Sequence, residues 1–153
     1  MPEYLTKEEA FNKCKREGKI LATEKADLER IKANLKIAEE DFEAANSLKK
    51  KELWNSAFKL YYDVLHELSE SFLQFESIKT ENHQCLFAYI CEKHPELELS
   101  WDFFEKIRTK RNGIHYYGTP IDYSDFKETE LQFRLYTAKL KEEIIKRLNS
   151  SKP

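Results

Sequence analysis

Two apolar stripes, each keeping the helical period without a break, most constrain what this chain can fold into. Over residues 25–48, Leu28, Ile31, Leu35, Ala38, Phe42 and Ala45 recur at steps of three and four; over residues 54–75, Trp54, Ala57, Tyr61, Leu65, Leu68, Phe72 and Phe75 do the same. A strand alternates with period two and would scatter such a stripe over both faces, so each segment reads as a long amphipathic helix. The polar break between them, SLKKKEL, is short and directs the pair to pack antiparallel. Only three glycines occur, Gly18, Gly113 and Gly118, and Asn112-Gly113 sits in a helical context. Hairpin signals between alternating apolar runs are missing, so helices are expected almost throughout.

The remaining segments extend that pattern. Thr6-Lys7-Glu8-Glu9 has the Ser/Thr-x-x-Glu form of a capping box, which predicts a first short helix from Lys7 until Gly18 ends it. After KTENH a shorter helix carries Leu86, Phe87, Tyr89 and Ile90, and Pro95 closes it. Ser100 is a good N-cap for a helix through Phe103, Phe104 and Ile107, with Gly118 and Pro120 of YYGTP marking its end. A last helix over residues 125–149 carries Leu131, Leu135, Ala138 and Ile145 on one face. The expectation is an all-α, antiparallel helical bundle of four main helices with additional short helices. Residues 1–24 form an N-terminal helical extension and residues 25–150 the bundle domain.

Charge and composition narrow the function classes. With 26 basic and 28 acidic residues the formal net charge is -2, which argues against coating duplex DNA through an overall basic field. The opening MPEYLTKEEA lacks a signal-peptide pattern, and the longest apolar run, CLFAYIC, is far too short to cross a bilayer. Three cysteines at unpatterned spacing suggest buried or free thiols in a reducing, cytoplasmic setting, with no structural bridge. His83, Cys85, Cys91 and His94 invite a zinc reading, but they follow no zinc-finger spacing; no metal or other cofactor is expected, and His83 reads as a helix cap. His66 could line a cleft and more often would be a satisfied interface residue. Aromatics make up 13% of the chain, and that surplus on a small helical domain suggests an apolar patch covered in a homodimer.

The stretch KIRTKRNGIHYYGTP, residues 106–120, concentrates the chemistry. On one helix Arg108, Arg111 and His115 stand at i, i+3 and i+7 and project from one face within two turns. Arginine offers phosphate a planar fork of donors, and histidine moves protons near neutral pH. The competing reading is that cations near a helix C-terminus complement its macrodipole while His115 packs locally.

The antiparallel long helices, AFKLYYDVLHEL on the second of them, and RTKRNGIHYYG after a short helix resemble the HEPN superfamily, the higher eukaryotes and prokaryotes nucleotide-binding domain. The resemblance covers about residues 28–149. Active members carry an Arg, four to six intervening residues and a His, with a polar residue, often Asn, after the Arg. Here Arg108 and His115 have the spacing, while Arg111-Asn112 has the pairing with three residues before His115. The resemblance implies an HEPN-type bundle and metal-independent RNA cleavage at a cleft between two protomers, with His115 as proton carrier, Arg108 or Arg111 as anion clamp and Asn112 orienting the phosphate. His115-Tyr116-Tyr117 matches the His-x-Tyr of toxin members paired with a minimal nucleotidyltransferase antitoxin, which implies Tyr117 as the residue modified. Members without a competent motif imply the alternative, a non-catalytic nucleotide- or protein-binding dimerisation module.

Overall fold

The structure is a computed structural model that describes residues 4–150, so the first three residues of the expected extension lie outside the described residues. In chain order it contains α1 (Lys7–Arg16), β1 (Ile20–Ala22), α2 (Leu28–Lys50), α3 (Trp54–Gln74), β2 (Ile78–Thr80), α4 (His83–Lys93), a 3-10 turn (Pro95–Leu97), α5 (Trp101–Tyr116) and α6 (Tyr123–Ser150). The fold is all-α apart from the small ladder.

Local chemistry sets most of these boundaries. The Thr6 side chain accepts from the Glu9 N–H and the Glu9 carboxylate accepts from the Thr6 N–H, completing the capping box of α1. At its other end Gly18, with φ +66°, lets Lys19 N–H reach back to the Cys14 carbonyl at 2.9 Å. This is a Schellman closure in the left-handed region that glycine enters without steric cost. The α2–α3 corner has the same hydrogen bonds, Leu53 N–H to Leu48 and Glu52 N–H to Lys49, but there Glu52 takes the positive φ. Asp27 caps α2, Asn82 caps α4 and Ser100 caps α5 through side-chain oxygens that accept a backbone N–H. His83 is therefore the first residue of α4 and not its cap.

α3 is the axis of the bundle. It buries Phe58, Tyr61, Leu65, Leu68 and Phe72 against α2 and α6. Pairs such as Phe42 with Tyr61 and Phe58 with Phe133 set α2 antiparallel and α6 parallel to it. α5 returns along α6, through Lys106–Glu128 and Lys110–Asp125 at 3.0 Å each and the edge contact of Phe103 with Tyr136.

Three findings depart from the sequence expectations. First, Leu131, Leu135 and Ile145 are 66%, 56% and 42% exposed. The core face of α6 is instead Phe126, Phe133, Tyr136, Leu140, Ile144 and Leu148, with Thr129 and Thr137 buried among them. Two stripes of helical period compete on this helix, and the aromatic one has more area to remove from water. Second, β1 and β2 pair antiparallel, Ile20 with Thr80 and Ala22 with Ile78, although no hairpin joins them. Third, Cys14 and Cys85 form a disulfide across 71 residues, with Cα atoms 5.8 Å apart. The packing of α1 on α4 carries Cys14 to the first turn of α4, so cysteine does bridge two elements and its number gives no argument for a reducing compartment. Cys91 alone is a free buried thiol, pushed up to about 12 by burial.

No helix among the described residues is long and apolar enough to cross a membrane.

Candidate functional site

α5 is held at its N-terminal half by buried Trp101, Phe103, Phe104 and Ile107, and its C-terminal half emerges from the core carrying the charged stretch. This half packs on α3, where the Arg111 guanidinium lies over the Tyr62 ring, and Asp63 and Lys59 of α3 are close enough to act electrostatically on Arg111 and His115. The three sequence-identified residues differ in their surroundings.

Arg108 is engaged within its own helix. Its Nε and one terminal nitrogen donate to the two carboxylate oxygens of Glu105 at 2.9 and 3.0 Å, and Gln84 donates to the same carboxylate at 3.3 Å. A bidentate guanidinium–carboxylate pair is among the stronger polar contacts and leaves fewer donors for a ligand. Arg111 makes no ion pair among the described residues. Its guanidinium lies 5.4 Å from the centre of the Tyr62 ring, one terminal nitrogen makes a long 3.5 Å contact with Asn112 Oδ1, and Nε is buried without an acceptor. Asn112 thus supports Arg111 from the neighbouring position. His115 is exposed, with its imidazole held below the usual range by the surrounding protein and by the charges of Arg111 and Lys59, opposed by Asp63. Tyr117 is 78% exposed just beyond the helix end.

Sequence reasoning missed the partner face. Tyr62 is buried, and desolvation drives its phenol well above the usual range against the pull of Arg111 and Arg108. Its hydroxyl lies 2.9 Å from Nδ1 of His83, whose ring centre is 3.9 Å from that of His66, and His66 Nε2 lies 3.1 Å from a Glu70 oxygen. His83 is lowered to about 4, first by burial and then by His66 and Arg111. Asp63 is raised by burial and by Asp41, while Arg111, His66 and His115 pull it down. The signal that could have found this face is the spacing of Lys59, Tyr62, Asp63, His66 and Glu70, a polar stripe of helical period beside the apolar one.

The former zinc candidates are dispersed. Cys85 is in the disulfide, His83 lies on His66, and His94 is held between Glu76 and Glu96, 2.8 Å from the latter. Among the described residues no group of three His, Cys, Asp or Glu side chains is placed to hold a metal ion.

Two clefts are lined in part by α3. One of about 310 Å³ is lined by Asp27, Arg30, Glu70 and Lys79 among others, so Glu70 stands between it and the histidine pair. The other, about 500 Å³, lies at the α2–α3 corner between Lys49, Trp54, Tyr123 and Lys127.

No family model matches the chain, and no curated protein matches it significantly.

Proposed function

We propose that this chain is an HEPN-type ribonuclease that cleaves RNA without a metal ion, acting as the toxin of a pair with a minimal nucleotidyltransferase antitoxin in the cytoplasm. The observation that carries the reading is Arg111 and His115, one turn apart on α5 beside Lys59 and Asp63 of α3. His115 takes the proton of a 2′-hydroxyl as the 2′-oxygen bonds to phosphorus, Arg111 holds the charge that develops on the phosphorane, and the bond to the 5′-oxygen breaks with a proton returned to that oxygen by His115 or by solvent. Of the two arginines, Arg111 is the clamp, because Glu105 already occupies Arg108. The exposed Tyr117 hydroxyl offers an antitoxin nucleotidyltransferase an open acceptor. Exposed Leu131, Leu135 and Ile145 support a homodimer, since together they form an apolar stripe that a second copy would cover.

The test is cleavage of single-stranded RNA by the purified chain with a chelator present. Cleavage is expected to persist with chelator and to drop sharply in Arg111→Ala and in Arg111→Lys, which keeps the charge but loses the fork. Cleavage only when magnesium is supplied would overturn the reading. The occupation of Arg108 by Glu105 favours a second reading, the non-catalytic nucleotide- or protein-binding dimerisation module. That reading prevails if no RNA is cut while a nucleotide binds and is lost in the Arg108→Ala, Arg111→Ala double variant.

A further inference from the structure

At the α2–α3 corner the aromatic core runs out to the surface, in the cleft of about 500 Å³. Trp54 opens α3 half-buried, with its ring centre 5.2 Å from that of buried Phe126 and 4.9 Å from that of Tyr123. Tyr123, the first residue of α6, is 53% exposed. Trp54 therefore carries the packing outward to a ring that meets water, and such a ring is a platform on which another flat ring stacks.

Ammonium groups stand beside these rings. Lys127 Nζ lies 5.8 Å from the centre of the Tyr123 ring, and Lys50 lines the same cleft from the end of α2. Lys49 is committed to Glu130 at 2.6 Å, whereas Lys50 and Lys127 make no ion pair among the described residues. Glu52 is the remaining carboxylate of the lining, so the cleft keeps an excess of positive charge on a chain whose net charge is -2. A nucleotide uses both halves of this surface, its base on the rings and its phosphates against the lysines. The exposed stripe of Leu131, Leu135 and Ile145 has no such chemistry and suits a protein surface instead.

Direct hydrogen bonds fix the cleft to the end of the bundle that carries the α5 site. Ile121 N–H donates to Asn55 Oδ1 at 2.7 Å, which ties the segment leaving α5 to the residue after Trp54. Lys110, next to Arg111, donates to Asp125 at 3.0 Å, two residues past Tyr123. The seven-residue step from Tyr116 to Tyr123 spans about 25 Å at full extension and less in this pinned segment. A single strand of several nucleotides covers both places.

We propose that this cleft is a second nucleotide-binding subsite, which holds a nucleotide of single-stranded RNA away from the bond that is cut, with its base on Tyr123 and Trp54 and its phosphates on Lys50 and Lys127. The proposal names the substrate class of the ribonuclease reading above and rests on that reading for the reaction. Every base has a face to stack, so the subsite selects single strand over duplex and not one sequence over another.

The experiment measures binding apart from cleavage. A fluorescein-labelled 2′-O-methyl-RNA decamer of adenosines, which has no 2′-hydroxyl to attack, is titrated with the full chain by fluorescence anisotropy. Tyr123→Ala should weaken binding about 5- to 100-fold, the share of one stacked base. Lys50→Ala and Lys127→Ala together should lower the slope of log affinity against log salt by about 1.4, the share of two phosphate contacts on a single strand. All three side chains are exposed, and circular dichroism checks that the variants are folded. Affinity and salt slope equal to wild type in these variants would overturn the subsite while the ribonuclease reading stands on its own cleavage assay. Loss of the dimer in Tyr123→Ala with affinity unchanged would assign the cleft to a second copy of the chain and overturn the subsite too. If the wild type cuts no RNA but decamer binding falls in the variants as expected, the ribonuclease reading is overturned and the cleft remains a nucleotide site. Wild-type protein that binds no decamer overturns the subsite outright.

Discussion

α3 presents two opposite surfaces to its neighbours. Toward α2 and α6 it places Phe58, Tyr61, Leu65, Leu68 and Phe72, where the one buried phenol, Tyr61, donates to Asn46. Toward α4 and α5 it places Tyr62, Asp63, His66 and Glu70, where a buried arginine nitrogen lacks an acceptor and an imidazole is driven to about 4. The first surface is packed apolar and aromatic core, although the buried Thr137 hydroxyl on the facing side of α6 lacks a partner among the described residues. The second retains partly desolvated charge, which costs stability and is tolerated where charge has work to do. On the ribonuclease reading proposed above, one helix separates stability from chemistry, and that separation can be attacked from either side.

The largest expected effect is on the chemical side. His115→Ala removes an exposed imidazole and should slow RNA cleavage by about 10²- to 10⁴-fold with the thermal midpoint almost unchanged. Rate assays and a melting curve on the same sample check it, and a large loss of stability would show that the two surfaces are not separate.

The converse variant is Phe133→Ala. Phe133 is fully buried and meets Phe58, Tyr61 and Phe103 at ring distances of 5.3 to 5.6 Å. Its truncation should cost about 3–5 kcal/mol in urea unfolding, with activity per folded molecule preserved.

Much of the stable surface was legible in the sequence, and less of the other. The stripes of α2 and α3 announced themselves because each helix has one dominant apolar face, and the caps were read locally, Thr6 from its pairing with Glu9 and Ser100 from its own side chain. α6 was misread because Leu131, Leu135 and Ile145 repeat with the same period as Phe126, Phe133 and Leu140, and only packing against α3 chooses between them. The β1–β2 ladder and the Cys14–Cys85 bridge join residues far apart in the chain, so no local pattern encodes them. In the site, Arg108, Arg111 and His115 were visible as a cluster on one helix. The occupation of Arg108 by Glu105 and the pairing of His66 with His83 depend on rotamers and on a crossing of three helices.

The bridge offers an intermediate test, because it ties α1 to α4 near the start of the helix that carries His83. Cys14→Ser should lower stability by about 2–4 kcal/mol, the usual range for a bridge closing a long loop. If the chemical surface stands on α3 and α5 alone, the folded variant keeps its rate on RNA. A rate that falls in parallel with stability would extend that surface to α1.

The smallest effect is a titration. The His83 imidazole is lowered from 6.5 to about 4, chiefly by burial. The folded chain therefore resists a proton that the unfolded chain accepts, and between those two values the unfolded state binds more protons. Stability contributed by neutral His83 is complete above pH 6.5, declines as pH falls through that window, and is lost by about pH 4. Water reaches this half-buried ring, so the change is of order 1–2 kcal/mol, below what the full shift would give. Urea unfolding at pH 7 and pH 4.5 should show that decline in the wild type and a flatter dependence in His83→Gln. Equal slopes in the two proteins would place the acid sensitivity in carboxylates such as Glu70, whose own depressed titration gives a loss of the same sign at lower pH. The histidine pair would then lose its distinction from an ordinary charged helix face.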